Sequence, residues 1–398
     1  MQMSEAKAFK GNLILEDQVL ENATIRCENG RIVAIDERGV SVPGMMDYTG
    51  RYISAGFIDI HVHGGAGADY MDGSPDAIRT VNRAHAQHGT TSIFPTTTTG
   101  SFSQLDRMIA SCEAVKRTWS VQDGAKIAGV HFYGPYFAED KVGCHPPEGR
   151  RDPVKHEYEH FLSRPIVRIA TCASELPGAL EFFDFASQQD CLITCGHSNA
   201  AWSELEQAFA RGMRHVDHFW CAMSSVSSLR PRFGTPMQAG MEQFVIANDQ
   251  MSTEVIADGE HLSDDLLRFA FKVIGHGRTC LVTDANRALD CPPGEYRFGS
   301  ADDGVIVYSN GLTVRAADGS LASSMCGMAT MVSNMANAVG ADLPKVIQMA
   351  TATPARLTGI FEDVGSITLG KSADLVVLTP DITVERVIID GKLIIADR

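Results

Sequence analysis

Apolar residues arrive along the chain in short blocks, and their spacing changes twice. From residue 10 to 53 they form brief β-type runs separated by turn residues. NATIRC and RIVAID flank Asn29-Gly30, a pair that supplies the positive φ angles of a tight hairpin turn. The same texture returns in the last forty residues, where SITL, ADLVVL, ITVERVIID and KLIIA are punctuated by Asp390-Gly391. Isolated hairpins are marginal, so the two ends are expected to pair as one small β-sandwich domain built from residues 1–53 and 361–398.

Residues 54–360 alternate instead. The runs GFIDIHV, TTSIFP, KIAGVHF, PIVRIAT, CLITCG, MRHVDHF, TEVIA and TCLVTD predict strands, and helical spacing falls over 76–88, 101–117, 177–189, 200–211 and 263–275. Eight β-then-α units in roughly 250–300 residues predict an α/β fold of the (β/α)8, TIM-like barrel type. A doubly wound open sheet calls for a glycine-rich phosphate loop after its first strand. HGGAGADYMDG matches neither that fingerprint nor a P-loop. Residues 293–320, around Asn310-Gly311, read as an inserted hairpin region.

Composition narrows the partners. The 398 residues are 44% hydrophobic and 21% charged, an ordinary globular balance that excludes disorder. Lys+Arg 34 against Asp+Glu 49 leaves a net charge of −15, which disfavours nucleic acid and anionic membranes and leaves a small-molecule substrate. No two of the ten cysteines form C-x-x-C, and several lie inside apolar runs, as Cys191 and Cys195 do in CLITC. MQMSEAKAFKGN lacks an apolar leader core, and no apolar stretch reaches membrane-spanning length. A reducing, cytoplasmic setting is expected.

The chemistry lies in polar residues that end apolar strands. His61 and His63 are two apart at the end of GFIDIHVH, so strand periodicity points both the same way. His197 ends CLITCGH, His218 ends MRHVDH, and Asp284 ends TCLVTD. Barrel enzymes place their catalytic groups at these strand ends. Imidazole and carboxylate suit a divalent ion such as Zn²⁺ or Fe²⁺ with one position open for water. One histidine after a strand is usually a hydrogen-bonded turn residue; five such groups on four strands are harder to explain without a metal. His156-Glu157-Tyr158-Glu159-His160 matches H-E-x-x-H, but it lies in a polar segment between Pro153 and Pro165 and is read as a solvated face. His85, His88, His215 and His276 take structural readings.

These motifs together resemble the N-acetylglucosamine-6-phosphate deacetylase family of the amidohydrolase superfamily. The resemblance spans nearly the whole chain. It rests on GFIDIHVHGGAGADYMDG, GTTSIFPTT, GVHFYGPYF with KVGCHPP, CGHSNA, HVDHFWCAM, VIADGEHL, LVTDA, DGSLASS and the terminal MATATPARLTGI…GSITLGKSADLVVL. It implies a barrel with one or two divalent ions (Zn, Fe or Mn), acetate release from an N-acetyl amino-sugar 6-phosphate, and a possible homodimer. By motif position, His197 and His218 would be metal ligands and Asp284 the general base that later protonates the amine. His261 and His145 would hold the sugar and polarise the acetamide. Backbone at Cys221-Ala222, with an arginine, would receive the phosphate, and His61 and His63 would belong to a second metal.

Several positions depart from that pattern. The family's H-L-E-G-P reads His131-Phe132-Tyr133-Gly134-Pro135, so a phenol stands where a metal-binding glutamate is expected. The main site could then shift to His61, His63 and Asp284, Tyr133 could coordinate as phenolate, or water could take its place. Cys221 replaces the usual asparagine. The expected arginine falls on Leu229, with Arg230 and Arg232 as displaced candidates, and Ser323 replaces a glycine. An amidohydrolase acting on another amide or ureide, and a catalytically degenerate sugar-binding paralogue, are the alternative readings.

Overall fold

The computed structural model describes residues 7–340 and 342–394. In chain order the strands are β1 (Lys7–Ile14), β2 (Val19–Glu28), β3 (Arg31–Asp36), β4 (Met46–Ala55), β5 (Phe57–Val62), β6 (Gly64–Gly65) and β7 (Ala68–Asp69). The central strands are β8 (Thr90–Pro95), β9 (Lys126–Ile127), β10 (Val130–Phe132), β11 (Val167–Thr171), β12 (Leu192–Cys195), β13 (His215–Val216), β14 (Ser252–Val255) and β15 (Thr279–Leu281). The chain ends with β16 (Gly294–Phe298), β17 (Val305–Ser309), β18 (Val314–Ala316), β19 (Leu375–Leu378), β20 (Val384–Ile389) and β21 (Lys392–Leu393). Seven of the eight expected central strands are present as single strands, while KIAGVHF is broken at Ala128-Gly129 into β9, which pairs with β8, and β10, which pairs with β11.

Helices fill the intervals because caps and apolar spacing agree. Ser74 accepts a hydrogen bond from Ala77 N and Pro75 opens the helix Pro75–Gln87, which buries Ile78, Val81, Ala84 and His85 on one face. Ser101 and Gln104 form a reciprocal cap on Phe102–Thr118, whose buried face is Leu105, Met108, Ile109, Cys112 and Val115.

The parallel strands lie in two runs, β5-β8-β9 and β10-β11-β12-β13-β14-β15, forming a curled parallel sheet in an α/β fold. A parallel bridge from Thr96 to His131 joins the runs, and Asp284 N donates to His61 O at 2.8 Å at their far edges. One large apolar core lies within and around this sheet. The two ends of the chain meet in a seven-stranded sheet, β21-β20-β19-β4-β1-β2-β3, with its own core of Phe9, Leu13, Ile25, Ile53, Leu375, Val377 and Ile388. Asn29 and Gly30 have φ of 51° and 76°, and Asp390 and Gly391 50° and 69°, as tight hairpin turns require. Lys126 ties the central region to this sheet through Asp374 at 2.7 Å and Asp390 at 2.9 Å. β16–β18 form the expected insertion, a three-stranded antiparallel sheet.

Two expectations need correction. SITL, residues 366–369, is not a strand: Ile367 enters the end-sheet core while Leu369 turns outward before Gly370 at φ 87°. The His156–His160 segment is not a solvated face throughout. It forms the helix Lys155–Leu162, which buries Tyr158 and Phe161 and pairs buried Glu157 with Arg151. Only His156 and His160 keep the exposed aspect, His160 meeting Asp106 at 2.9 Å. Residues 1–6 and 395–398 of the expected end domain lie outside the described residues.

Candidate functional site

The strand ends converge. His61 is on β5, His63 follows it, Tyr133 follows β10, His197 and His218 follow β12 and β13, and Asp284 follows β15. All six are buried. His197 and Asp284 have φ of 45° and 44°, so both side chains leave the strand line through a left-handed backbone step.

His61, His63 and Asp284 place one ligand-type atom each within 4.8 Å of the others. His63 Nε2 is 3.2 Å from Asp284 Oδ1, and His61 Nε2 is 3.8 Å from it. Behind them His61 Nδ1 is hydrogen-bonded to Glu254. Burial alone lowers the His61 pKa, but the Glu254 charge and hydrogen bond outweigh it and raise it to about 9. Burial likewise pushes the Asp284 carboxyl up, yet the His63 contact and the nearby His61 and His218 hold it well below the carboxylate range. Asp284 is therefore ionised, and Ser323 Oγ, at φ 61°, donates to its Oδ1 at 3.2 Å.

The other predicted ligands sit close by with different partners. His197 and His218 have ring centroids 5.0 Å apart. His197 Nδ1 is 2.5 Å from Lys141 O, and Phe137 stacks on its ring. Tyr133 OH is 2.6 Å from His218 Nε2. Burial and the surrounding acidic groups hold the phenol well above its usual pKa, and burial brings His218 down to about 4, so the phenol is the donor and the imidazole the acceptor. Tyr133 thus occupies the one His218 nitrogen that does not face the Cys221 carbonyl.

His145 is buried against His63, Phe137, His197 and Phe298, with its Nδ1 lacking a hydrogen-bond partner among the described residues. His261 is held by Asp258, whose carboxylate accepts from His261 Nδ1 at 2.7 Å and from its backbone N–H at 2.8 Å. Burial lowers the His261 pKa, but Asp258 more than offsets it and raises the pKa above the imidazole value. Cys221 and Ala222 are half-buried beside His218. Arg230 is not drawn into this cluster. It is exposed on the helix Val226–Phe233, in a surface groove with Ser227, Met237 and Glu242, and Arg232 is engaged by Glu204 at 2.7 Å.

Three acidic residues escaped the sequence reading. Asp59, inside β5, accepts from Thr283 Oγ1 at 2.5 Å, and its pKa is raised by burial to about 7. Asp217 and Glu254 join His215 in a second buried group of ligand type. The available signal was a carboxylate interrupting an apolar strand, in GFIDIHV and STEV.

Residues 52–394 match the amidohydrolase family. The N-acetylgalactosamine-6-phosphate deacetylase of Escherichia coli O157:H7 is 30% identical over 96% of this chain and 97% of its own. The N-acetylglucosamine-6-phosphate deacetylase of Vibrio furnissii is 28% identical over 98% of this chain and 96% of its own. The solved structure of the Pasteurella multocida N-acetylglucosamine-6-phosphate deacetylase superposes with a TM-score of 0.89 at 25% identity, covering 98% and 100% of the two chains. With its buried histidines and aspartate at the strand ends of the same fold, the chain belongs to the amidohydrolase family, within the N-acetylglucosamine-6-phosphate deacetylase group.

Proposed function

We propose that the protein is a metal-dependent deacetylase that hydrolyses the acetamide of an N-acetyl amino-sugar 6-phosphate, releasing acetate and the amine. The observation that carries this reading is the His61, His63 and Asp284 group in a chain of this family. Its chemistry fits a divalent ion: among the described residues His61 Nε2 and His63 Nδ1 are buried without hydrogen-bond partners, and Asp284 is ionised beside them. These three residues would hold the metal, Zn²⁺, Fe²⁺ or Mn²⁺, and His197 and His218 line the same chamber. Such an ion supplies a nucleophilic water near neutral pH and draws electron density from the carbonyl.

The chain's own groups do the rest. Asp284 takes the proton of the attacking water at its carboxylate and delivers it to the departing nitrogen, which leaves poorly as an anion. His261, oriented by Asp258, presents Nε2 as a donor to the carbonyl oxygen as charge develops there. Tyr133 acts as a neutral phenol beside His218 and is not assigned as a ligand. His145 contacts the sugar, and the Cys221–Ala222 backbone meets the phosphate with exposed Arg230 further along the same segment. We also read the parallel strands as one (β/α)8 barrel spanning 54–360 and the end sheet as part of a small β-sandwich from 1–53 and 361–398. The Thr96–His131 bridge and the Asp284–His61 hydrogen bond support that reading. The ten free thiols support a reducing compartment such as the cytoplasm.

The test is acetate release from N-acetylglucosamine 6-phosphate and N-acetylgalactosamine 6-phosphate after reconstitution with Zn²⁺, Fe²⁺ or Mn²⁺. Turnover should require metal and fall about 10²–10⁴-fold in Asp284→Asn, the usual weight of a positioned acid–base group. Absence of metal-dependent release from either sugar overturns the proposal.

A further inference from the structure

Directly behind the proposed metal group lies a set of buried polar side chains that the reaction does not use. Its centre is Glu254 on β14, which is 1% exposed. Its carboxylate meets three nitrogens: His61 Nδ1, His215 Nε2 at 3.4 Å, and the backbone N–H of His218 at 3.2 Å. His215 is fixed in turn by Ser252 Oγ at 2.7 Å, and that hydroxyl donates to Arg214 O at 3.0 Å. One carboxylate on β14 therefore locks side chain or backbone from β5, β13 and the turn after β13.

A buried carboxylate in apolar surroundings is costly unless its oxygens are satisfied, and here each oxygen has a nitrogen partner. The effect on His61 has a direction. Metal binding requires the neutral imidazole, which carries one donor and one acceptor nitrogen, and a carboxylate at Nδ1 selects the tautomer with hydrogen there. The lone pair is left on Nε2. That atom is buried, has no hydrogen-bond partner among the described residues, and faces Asp284.

We propose that Glu254 is a positioning residue for the metal site: it fixes His61 in the Nδ1–H tautomer and ring orientation, so that Nε2 is the ligating atom, and it pins the His218 backbone beside it. The proposal rests on the assignment of His61, His63 and Asp284 as metal ligands. A histidine ligand oriented by an outer carboxylate is a more basic and better-aligned donor, and loss of such a partner costs about 10–100-fold in metal affinity. Glu254 touches neither the reacting atoms nor the substrate.

The experiment measures Zn²⁺ affinity by competition with a chromogenic chelator, without substrate, in the natural chain, Glu254→Gln and Glu254→Ala. Glu254→Gln keeps the shape and removes the charge; it should bind Zn²⁺ about 10–100-fold more weakly while staying folded, with near-natural kcat and KM once metal saturates. Glu254→Ala should lose at least as much. A folded Glu254→Gln protein with natural Zn²⁺ affinity overturns the proposal, as does a variant that keeps its affinity and loses kcat. Ring nitrogen NMR of the zinc-loaded natural protein, with the His61 signal assigned by its loss in His61→Gln, reads the tautomer with Glu254 intact. Hydrogen on Nδ1 and metal on Nε2 is expected, and the reverse overturns the assignment. Because none of these readouts involves the sugar, tight metal binding without acetate release would count against the proposed substrate and not against Glu254.

Discussion

Tyr133→Phe isolates one hydroxyl at the position where a metal-binding carboxylate is expected. The ring stays, with its edge contacts to His61 and Phe137 at centroid distances of 4.3 and 4.9 Å. The lost interaction is the 2.6 Å hydrogen bond to His218 Nε2, between two buried groups. An acceptor left buried without its donor costs about 1–3 kcal/mol. Unfolding entropy of about 2.1 cal/mol/K per residue gives roughly 0.8 kcal/mol/K for a chain of 398 residues, so Tm should fall by about 1–4 °C. Zn²⁺ affinity should change by less than about threefold, because the phenol is not a ligand, whereas even an outer-shell partner is worth about 10–100-fold. Thermal unfolding and chelator competition on the same preparations measure both quantities. An affinity loss beyond about 100-fold would show that Tyr133 coordinates as phenolate and would refute the assignment.

Other perturbations probe the supporting structure. In Gly196→Ala the new methyl would lie 2.0 Å from Asp217 Oδ2 and 2.8 Å from its Cγ, so a loss of at least about 1–3 kcal/mol is expected in denaturant unfolding. Phe298→Ala removes a ring packed at 5.1 Å on His63 and 5.0 Å on His145; stability should fall by about 3–5 kcal/mol and KM should rise in steady-state assays. The Asp258–His261 pair carries opposite shifts, the carboxyl down and the imidazole up, in each case against burial and because of the partner. The Asp258 contribution is present above about pH 4 and lost as pH falls through its depressed pKa. The His261 contribution is full below about pH 6.5 and lost as pH rises through its raised pKa. The stability gap between the natural chain and Asp258→Asn should therefore be widest between those values and narrow on either side, as read by unfolding at several pH values.

Much of this architecture was legible because local signals agree with tertiary need. Alternating apolar blocks, Ser74 and Ser101 as caps, and Asn29-Gly30 and Asp390-Gly391 as turns placed the central strands and the end hairpins. The convergence of His61, His63 and Asp284 followed from strand ends alone. Glu254 was hidden because its partner His61 is 193 positions away, and only the packing of strands shows that a carboxylate in STEV faces an imidazole. Asp59 and Thr283, 224 positions apart, were hidden for the same reason. SITL failed as a strand because β propensity was overridden by the turn before Gly370. The role of Arg230 depended on which face of a short helix it occupies, which its sequence position does not fix.

The seven-stranded sheet also sets an order of events at the ribosome. β4 pairs on one side with β1 and on the other with β19, Ile53 opposite Val377 and Ala55 opposite Leu375. Every residue of the central region is synthesised before β19 emerges. Until then one edge of β4 is unpaired and the apolar cluster of Phe9, Leu13, Ile53 and Ala55 lacks its neighbours Leu375, Val377 and Ile388. A nascent chain carrying an assembled metal chamber would still display an adhesive strand, so premature termination upstream of residue 375 should yield aggregation or proteolysis in place of a shortened enzyme.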